Sequence, residues 1–168
     1  TNFCGVAGMC DSLVLSLGIG VVATAGAVVL GTLVAFAIGR YSFRGRASSN
    51  LLVFMPMATP EVVMGSSLLT LFVAMSFATG ITTILIAHVM FCLSFVVVTV
   101  KARIASLDPR LEQAAMDLYA DEKTTFWKVT FPQVLPGIVG ASLLAFSLSF
   151  DDFIITNFDS GSSVTFPM

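Results

Sequence analysis

Three carboxylates, Glu61, Asp151 and Asp152, stand in or beside long apolar runs of this chain. An acidic side chain at the centre of a membrane-crossing helix costs roughly 2.5–3.5 kcal/mol on insertion scales. By default such a group faces a cavity or a partner. Glu61 also has a local reading. Thr59 can cap and Pro60 can start a new helix segment, leaving Glu61 at a helix N-terminus where the dipole favours it. The two readings are compatible. Pro56 and Pro60 break or kink the run, and irregular backbone at that depth lines a water-filled path. Asp151 and Asp152 are neighbours, so on a helix they point different ways. One is expected to face a path while the other meets an external partner; the alternative is a solvated helix end.

Rival chemistry is thin. His88 is the one histidine and reads as a packed helix residue bonded to a neighbour rather than a ligand. Ser66, Ser67 and His88 could suggest an intramembrane serine protease, but no Gly-x-Ser-x-Gly surrounds either serine. No Gly-x-x-x-x-Gly-Lys-[Ser/Thr] phosphate loop occurs, so the chain is not expected to hydrolyse ATP. No catalytic residue, metal site or cofactor is expected. Cys4, Cys10 and Cys92 do not form a disulfide framework. Cys4 and Cys10 can pair if both lie outside the cell; otherwise all three are free thiols, Cys92 being an apolar helix residue. Met57, Met64, Met75 and Met90 read as span packing.

The elements that must position these groups are membrane helices. The chain is 57% hydrophobic and 11% charged, about half the charge of a soluble domain. Its net charge of −2 and lack of a basic run argue against nucleic acid. Residues 12–39 carry no ionisable group, and about 20 apolar residues cross the hydrocarbon core. The run 62–100 carries no full charge. As one helix it would be roughly 58 Å long, nearly twice the ~30 Å core, so it must fold back. The polar stretch 76–83 is the hairpin site, with Gly80 as its turn residue. Spans are read near 13–39, 51–75, 83–100 and 134–158.

All eight basic residues fall at 40–46 and 101–128. Positively charged loops stay in the cytoplasm, and two basic loops separated by two spans share a side. Both ends of the chain then lie outside. No basic region precedes the first apolar stretch, so the start is not read as a signal peptide.

Residues 112–132 form a charged island in this apolar sequence. Asp108 can cap a helix with Pro109 at its first position. Glu112 lies in the first turn. Ala114, Ala115, Leu118 and Tyr119 make one small apolar stripe. Asp121 can cap a second helix carrying Phe126, Trp127 and Val129, which Pro132 is expected to end. The segment is either a docking element or an interfacial helix anchored on lipid by Trp127.

This island resembles the EAA loop of permease subunits from ABC importers, whose pattern is Glu-Ala-Ala, three residues, Gly, nine residues, Ile, one residue, Leu-Pro. Here Gln113-Ala114-Ala115, Tyr119, Val129 and Phe131-Pro132 take those places. Gln113 and Tyr119 depart from it. A residue with φ > 0 is costly without Gly, so a differently shaped turn is expected at Tyr119. The run Arg40-Tyr41-Ser42-Phe43-Arg44-Gly45-Arg46 resembles the cytoplasmic turn of these permeases. Residues 56–65 and 149–158 resemble the spermidine/putrescine branch.

The resemblance implies an all-α, polytopic helical bundle of the type I importer permease kind, with residues 1–168 as one transmembrane domain. It implies a cytoplasmic helix-turn-helix near 106–132 whose Glu112, Gln113, Ala114, Ala115, Leu118, Tyr119 and Pro132 couple to an ATPase. The partners implied are ATPase subunits that bind ATP and Mg, a second permease subunit, an extracytoplasmic substrate-binding protein and membrane lipid. Family members carry six spans, so one at each end is expected to be absent here. The implied activity is ATP-driven polyamine uptake by alternating access in the plasma membrane, with Glu61, Asp151 and Asp152 along the pathway. The alternatives are an importer of another small solute, or a subunit of an ion-gradient-driven transporter or channel.

Overall fold

The computed structural model describes residues 9–159, all of whose regular structure is helical. Three helices are long and apolar enough to cross a membrane. The first is α1 (Met9–Arg40). The second, α4, is Ile81–Ala105. The third joins α6 (Glu122–Thr125), a π segment (Phe126–Thr130) and α7 (Phe131–Asp151). These three pack on one another as the core.

Small residues let them approach. Ala23, Ala27 and Ala35 of α1 are wholly buried, and Gly31 continues their four-residue spacing. A Cβ on Gly31 would lie 2.7 Å from Val96 Cγ1 of α4. Lipid tails are as apolar as the side chains, so close contact rather than hydrophobic force holds such helices together. Behind this seam α4 buries Ile84, Ala87, Cys92, Val96, Val97 and Val100.

The run expected to span at 51–75 is two helices, α2 (Arg46–Ala58) and α3 (Glu61–Ala74), meeting at 108°. Pro60 disfavours helical geometry at Thr59, which takes φ −90° and ψ 135°. The Thr59 hydroxyl donates back to Met55 O (2.7 Å), so it does not cap α3. Pro60 is the N-cap and supplies no side-chain bond. Pro56 remains within α2. α2 leans on α4, and α3 packs chiefly against α8 (Phe153–Asp159).

The hairpin does fall between α3 and α4, but its left-handed residue is Ser76 (φ 57°). Gly80, expected to make the turn, is extended at φ 167° and serves as the N-cap of α4. Its N–H donates to Thr83 Oγ1 (2.8 Å).

Pro132 does not end the helix that Asp121 starts. It lies within the first two positions of α7. Its missing N–H is met by widening the preceding turn, where Phe131 N–H reaches Phe126 O across the π segment. The long helix stops instead at Asp152, which turns to ψ 93° before α8. Cys10 is disulfide-bonded, which removes the reading of three free thiols. Cys4 lies outside the described residues, and Cys92 is free and buried.

Candidate functional site

The chemistry-bearing residues gather into two groups. The first is the island. Asp108 caps α5 (Pro109–Asp117) by accepting from Arg110 N–H (2.9 Å). Asp121 caps α6 by accepting from Thr124 N–H (3.2 Å). The turn between them departs from expectation. Tyr119 keeps the left-handed geometry a glycine would take, with φ 62°, and a bulky residue there is a true outlier. Tyr119 is fully exposed and Leu118 is 81% exposed, so the loop carries an aromatic knob on its surface. Ala114 and Gln113 are also exposed, while Ala115 and Glu112 are half-buried.

Sequence reasoning missed the latch that holds this loop. Glu112 accepts from Arg40, at the end of α1, and from Thr130 Oγ1 (2.5 Å), in the π segment. One carboxylate therefore ties α5 to two of the core helices. Partial burial pushes the Glu112 carboxyl up. The hydrogen bonds from Thr130 and Arg40, with the Arg40 charge, outweigh that and hold it below its ordinary value of 4.5. A lowered carboxyl stabilises the fold above its unfolded pKa, and that contribution fades as pH falls through the folded value. The latch is thus intact at neutral pH and weakens only in acid. The charge pattern of Arg40 and Glu112 was visible in the sequence, but their pairing across 72 positions was not.

Replacing Tyr119 by glycine should relieve about 1 kcal/mol of left-handed strain. A higher melting temperature of the purified chain is the expected reading. An unchanged or lower one would show that the turn is unstrained.

The second group is the acids. Glu61 opens α3 and is exposed, as is Asp151 at the end of α7. Asp152 is 8% exposed and occupies the break between α7 and α8. Its Oδ1 accepts from Ile155 N–H (2.9 Å), capping α8, while its Oδ2 has no hydrogen-bond partner. Asp159 is a residue the sequence reading passed over. It is wholly buried, with both carboxylate oxygens unpartnered. No local pattern in the sequence marks that burial, which depends on the neighbours packed around α8.

Glu61 opens α3, which packs against the α8 helix that Asp152 caps and Asp159 closes. The packing of α3 on α8 brings the two broken helices together, and Gly65 permits it, since a Cβ there would sit 3.0 Å from Phe158 Cδ2. Among the described residues, no basic side chain pairs with any of the four.

His88 braces this region. Its Nδ1 meets Ser149 Oγ at 2.7 Å and its Nε2 meets Thr156 Oγ1 at 2.8 Å. Thr156 spends its proton on Asp152 O (2.7 Å), so Nε2–H is the donor to Thr156 and Ser149 donates to Nδ1. His88 thus joins α4 to α7 and α8, as a packed and bonded residue. Ser66 and Ser67 donate to Val63 O within α3, at 3.1 and 2.6 Å, and form no catalytic group with it. Among the described residues, no group of three or more His, Cys, Asp or Glu could hold a metal. Unpaired carboxylates at a helix break can attract a cation by Coulomb force.

The family described as binding-protein-dependent transport system inner membrane component matches residues 27–163. The chain is 40% identical over 168 residues to the putrescine transport system permease protein PotI of Escherichia coli (strain K12), covering 95% of this chain and 60% of that protein. It is 41% identical over 137 residues to the spermidine/putrescine transport system permease protein PotC of Haemophilus influenzae, covering 82% and 53%. The PotC protein of Escherichia coli (strain K12) is 38% identical over 148 residues, covering 88% and 56%. The chain therefore spans little more than half the length of these relatives.

Proposed function

This chain belongs to the family of binding-protein-dependent transport system inner membrane components, and from that premise we propose that it is a permease subunit of an ATP-driven importer for polyamines. The observation that carries the substrate class is the acid group. Asp151 and Asp152 stand at the α7–α8 break, Glu61 opens α3 at the α2–α3 break and Asp159 closes α8, which packs against α3, while every basic residue of the chain lies elsewhere in the sequence. A multivalent alkyl cation is the solute such a site suits, and the names of the relatives support the same class. Glu61, Asp151 and Asp152 are the pathway residues, with exposed Glu61 and Asp151 meeting substrate first and Asp152 fixing the break behind them.

In this reading the basic ends of α1, α2 and α4 and the α5–α6 loop face the cytoplasm, and both ends of the chain lie outside. ATP and Mg are bound by separate ATPase subunits, which dock on Ala114, Ala115, Leu118 and Tyr119. Glu112 passes the movement of α5 to α1 and α7 through Arg40 and Thr130. A second permease subunit completes the pathway, and an external binding protein delivers the substrate. Irregular backbone at the α2–α3 and α7–α8 breaks is where the path opens and closes.

Affinity capture of the full-length protein from its native membrane tests this. An ATPase subunit with a Gly-x-x-x-x-Gly-Lys-[Ser/Thr] loop and a second permease should come with it. Capture of an intact complex lacking any ATPase would favour an ion-gradient-driven transporter and defeat the proposal.

A further inference from the structure

A groove of about 550 Å³ runs between α2 and α4. Leu51, Phe54, Val97 and Val98 give it apolar walls, and Lys101 with Asn50 gives it a polar end. α2 has no fully buried residue and leans on α4 mainly through half-buried Val53, which leaves the groove beside it open. Lys101 donates to Asn50 Oδ1. An ammonium has three N–H donors, so two remain for another acceptor. Arg44, in the turn before α2, and Arg46, its first residue, immediately precede the groove, and no acidic residue lines it. Asn50 orients the ammonium rather than neutralising it, so the positive charge at the groove's end has no counter-ion within it.

The geometry points to a binding site for one anionic phospholipid of the cytoplasmic leaflet, its phosphate on Lys101 and an acyl chain against Leu51, Phe54, Val97 and Val98. An apolar channel ending in an unneutralised ammonium matches a molecule with an anionic head and a hydrocarbon tail. Basic pockets between membrane helices on the cytoplasmic side bind anionic headgroups in this way. The leaflet follows from the orientation proposed above, but the lipid site does not depend on which solute is carried. By filling the gap, the lipid would hold α2 against α4 and so steady the near side of the α2–α3 break.

The test uses the full-length transporter complex, purified in detergent and offered phosphatidylglycerol or phosphatidylcholine, with retained lipid counted by native mass spectrometry. Phosphatidylglycerol should be retained about fivefold better, the scale of one lysine contact with an anionic membrane. Lys101→Gln should remove that preference and Lys101→Arg should keep it. Glycerol phosphate, the head without the tail, should neither bind nor compete. A photoreactive side chain at Phe54 should cross-link to lipid. Equal retention of the two lipids, a preference that survives Lys101→Gln, competition by glycerol phosphate, or cross-linking of Phe54 to a helix of this or another subunit would each overturn the assignment. Absence of polyamine uptake by the unaltered complex, with lipid selectivity intact, would count against the transport reading and leave the lipid site standing.

Discussion

Ala115→Arg is expected to abolish coupled transport while leaving the protein in the membrane. Ala115 is half-buried on α5, beside exposed Ala114 and one turn before the Leu118–Tyr119 knob. A long charged side chain there holds a docking surface away from the helix. Forcing extra bulk into a packed contact typically costs about 1–3 kcal/mol, which weakens docking roughly 5- to 150-fold. The core helices α1, α4 and α7 do not use this position, so insertion and helix content should not change. Uptake and substrate-stimulated ATP hydrolysis in vesicles, compared with membrane yield, make the measurement. Full transport in this variant would instead support an interfacial helix resting on lipid.

Removing the charge of Glu61 should lower uptake about tenfold, and Asp152→Asn should lower it by a comparable factor without unfolding the protein. A carboxylate attracts an ammonium by about 4 kcal/mol at 4 Å with an effective dielectric near 20. The desolvation of both groups offsets much of that, and about 1.4 kcal/mol surviving corresponds to a tenfold change. Asn at 152 keeps an oxygen for the Ile155 N–H, so the α8 cap persists and the charge alone is lost. Asp152→Ala removes the cap as well, with a stability cost of about 1 kcal/mol. Reduced uptake in Asp152→Asn with an unchanged melting temperature is the expected pair. If both asparagine and alanine lower only the melting temperature, Asp152 is a structural cap and no part of the path.

Much of this was legible from short-range rules. The uncharged runs gave α1 and α4, because crossing a membrane demands length and apolarity above all. The caps at Asp108 and Asp121 followed from residue type and spacing, since a cap is a bond within three residues. The break at Thr59–Pro60 was legible as a break, but its 108° angle was not, because the packing of α3 on α8 fixes that. Pro132 misled because a π segment can absorb a missing donor, which a rule for ordinary α-helices does not include. Tyr119 misled in the opposite direction: the surrounding turn imposes the left-handed geometry despite its cost. Gly80 was over-read, its permissive backbone going unused while Ser76 took the turn. The Arg40–Glu112–Thr130 latch and the burial of Asp159 join residues far apart or depend on neighbours, and no local pattern announces either.

In the proposed function, ATP hydrolysis on a separate subunit drives a polyamine through a path guarded by these acids. Uptake of labelled putrescine and spermidine by the complete reconstituted complex, with its binding protein outside and ATP inside, tests it most directly. The expected result is uptake that requires hydrolysable ATP and the binding protein, persists when ion gradients are collapsed, and falls in Glu61→Gln. Uptake that needs an ion gradient and proceeds without ATP would contradict it, as would transport of an anionic or uncharged solute in place of the polyamines.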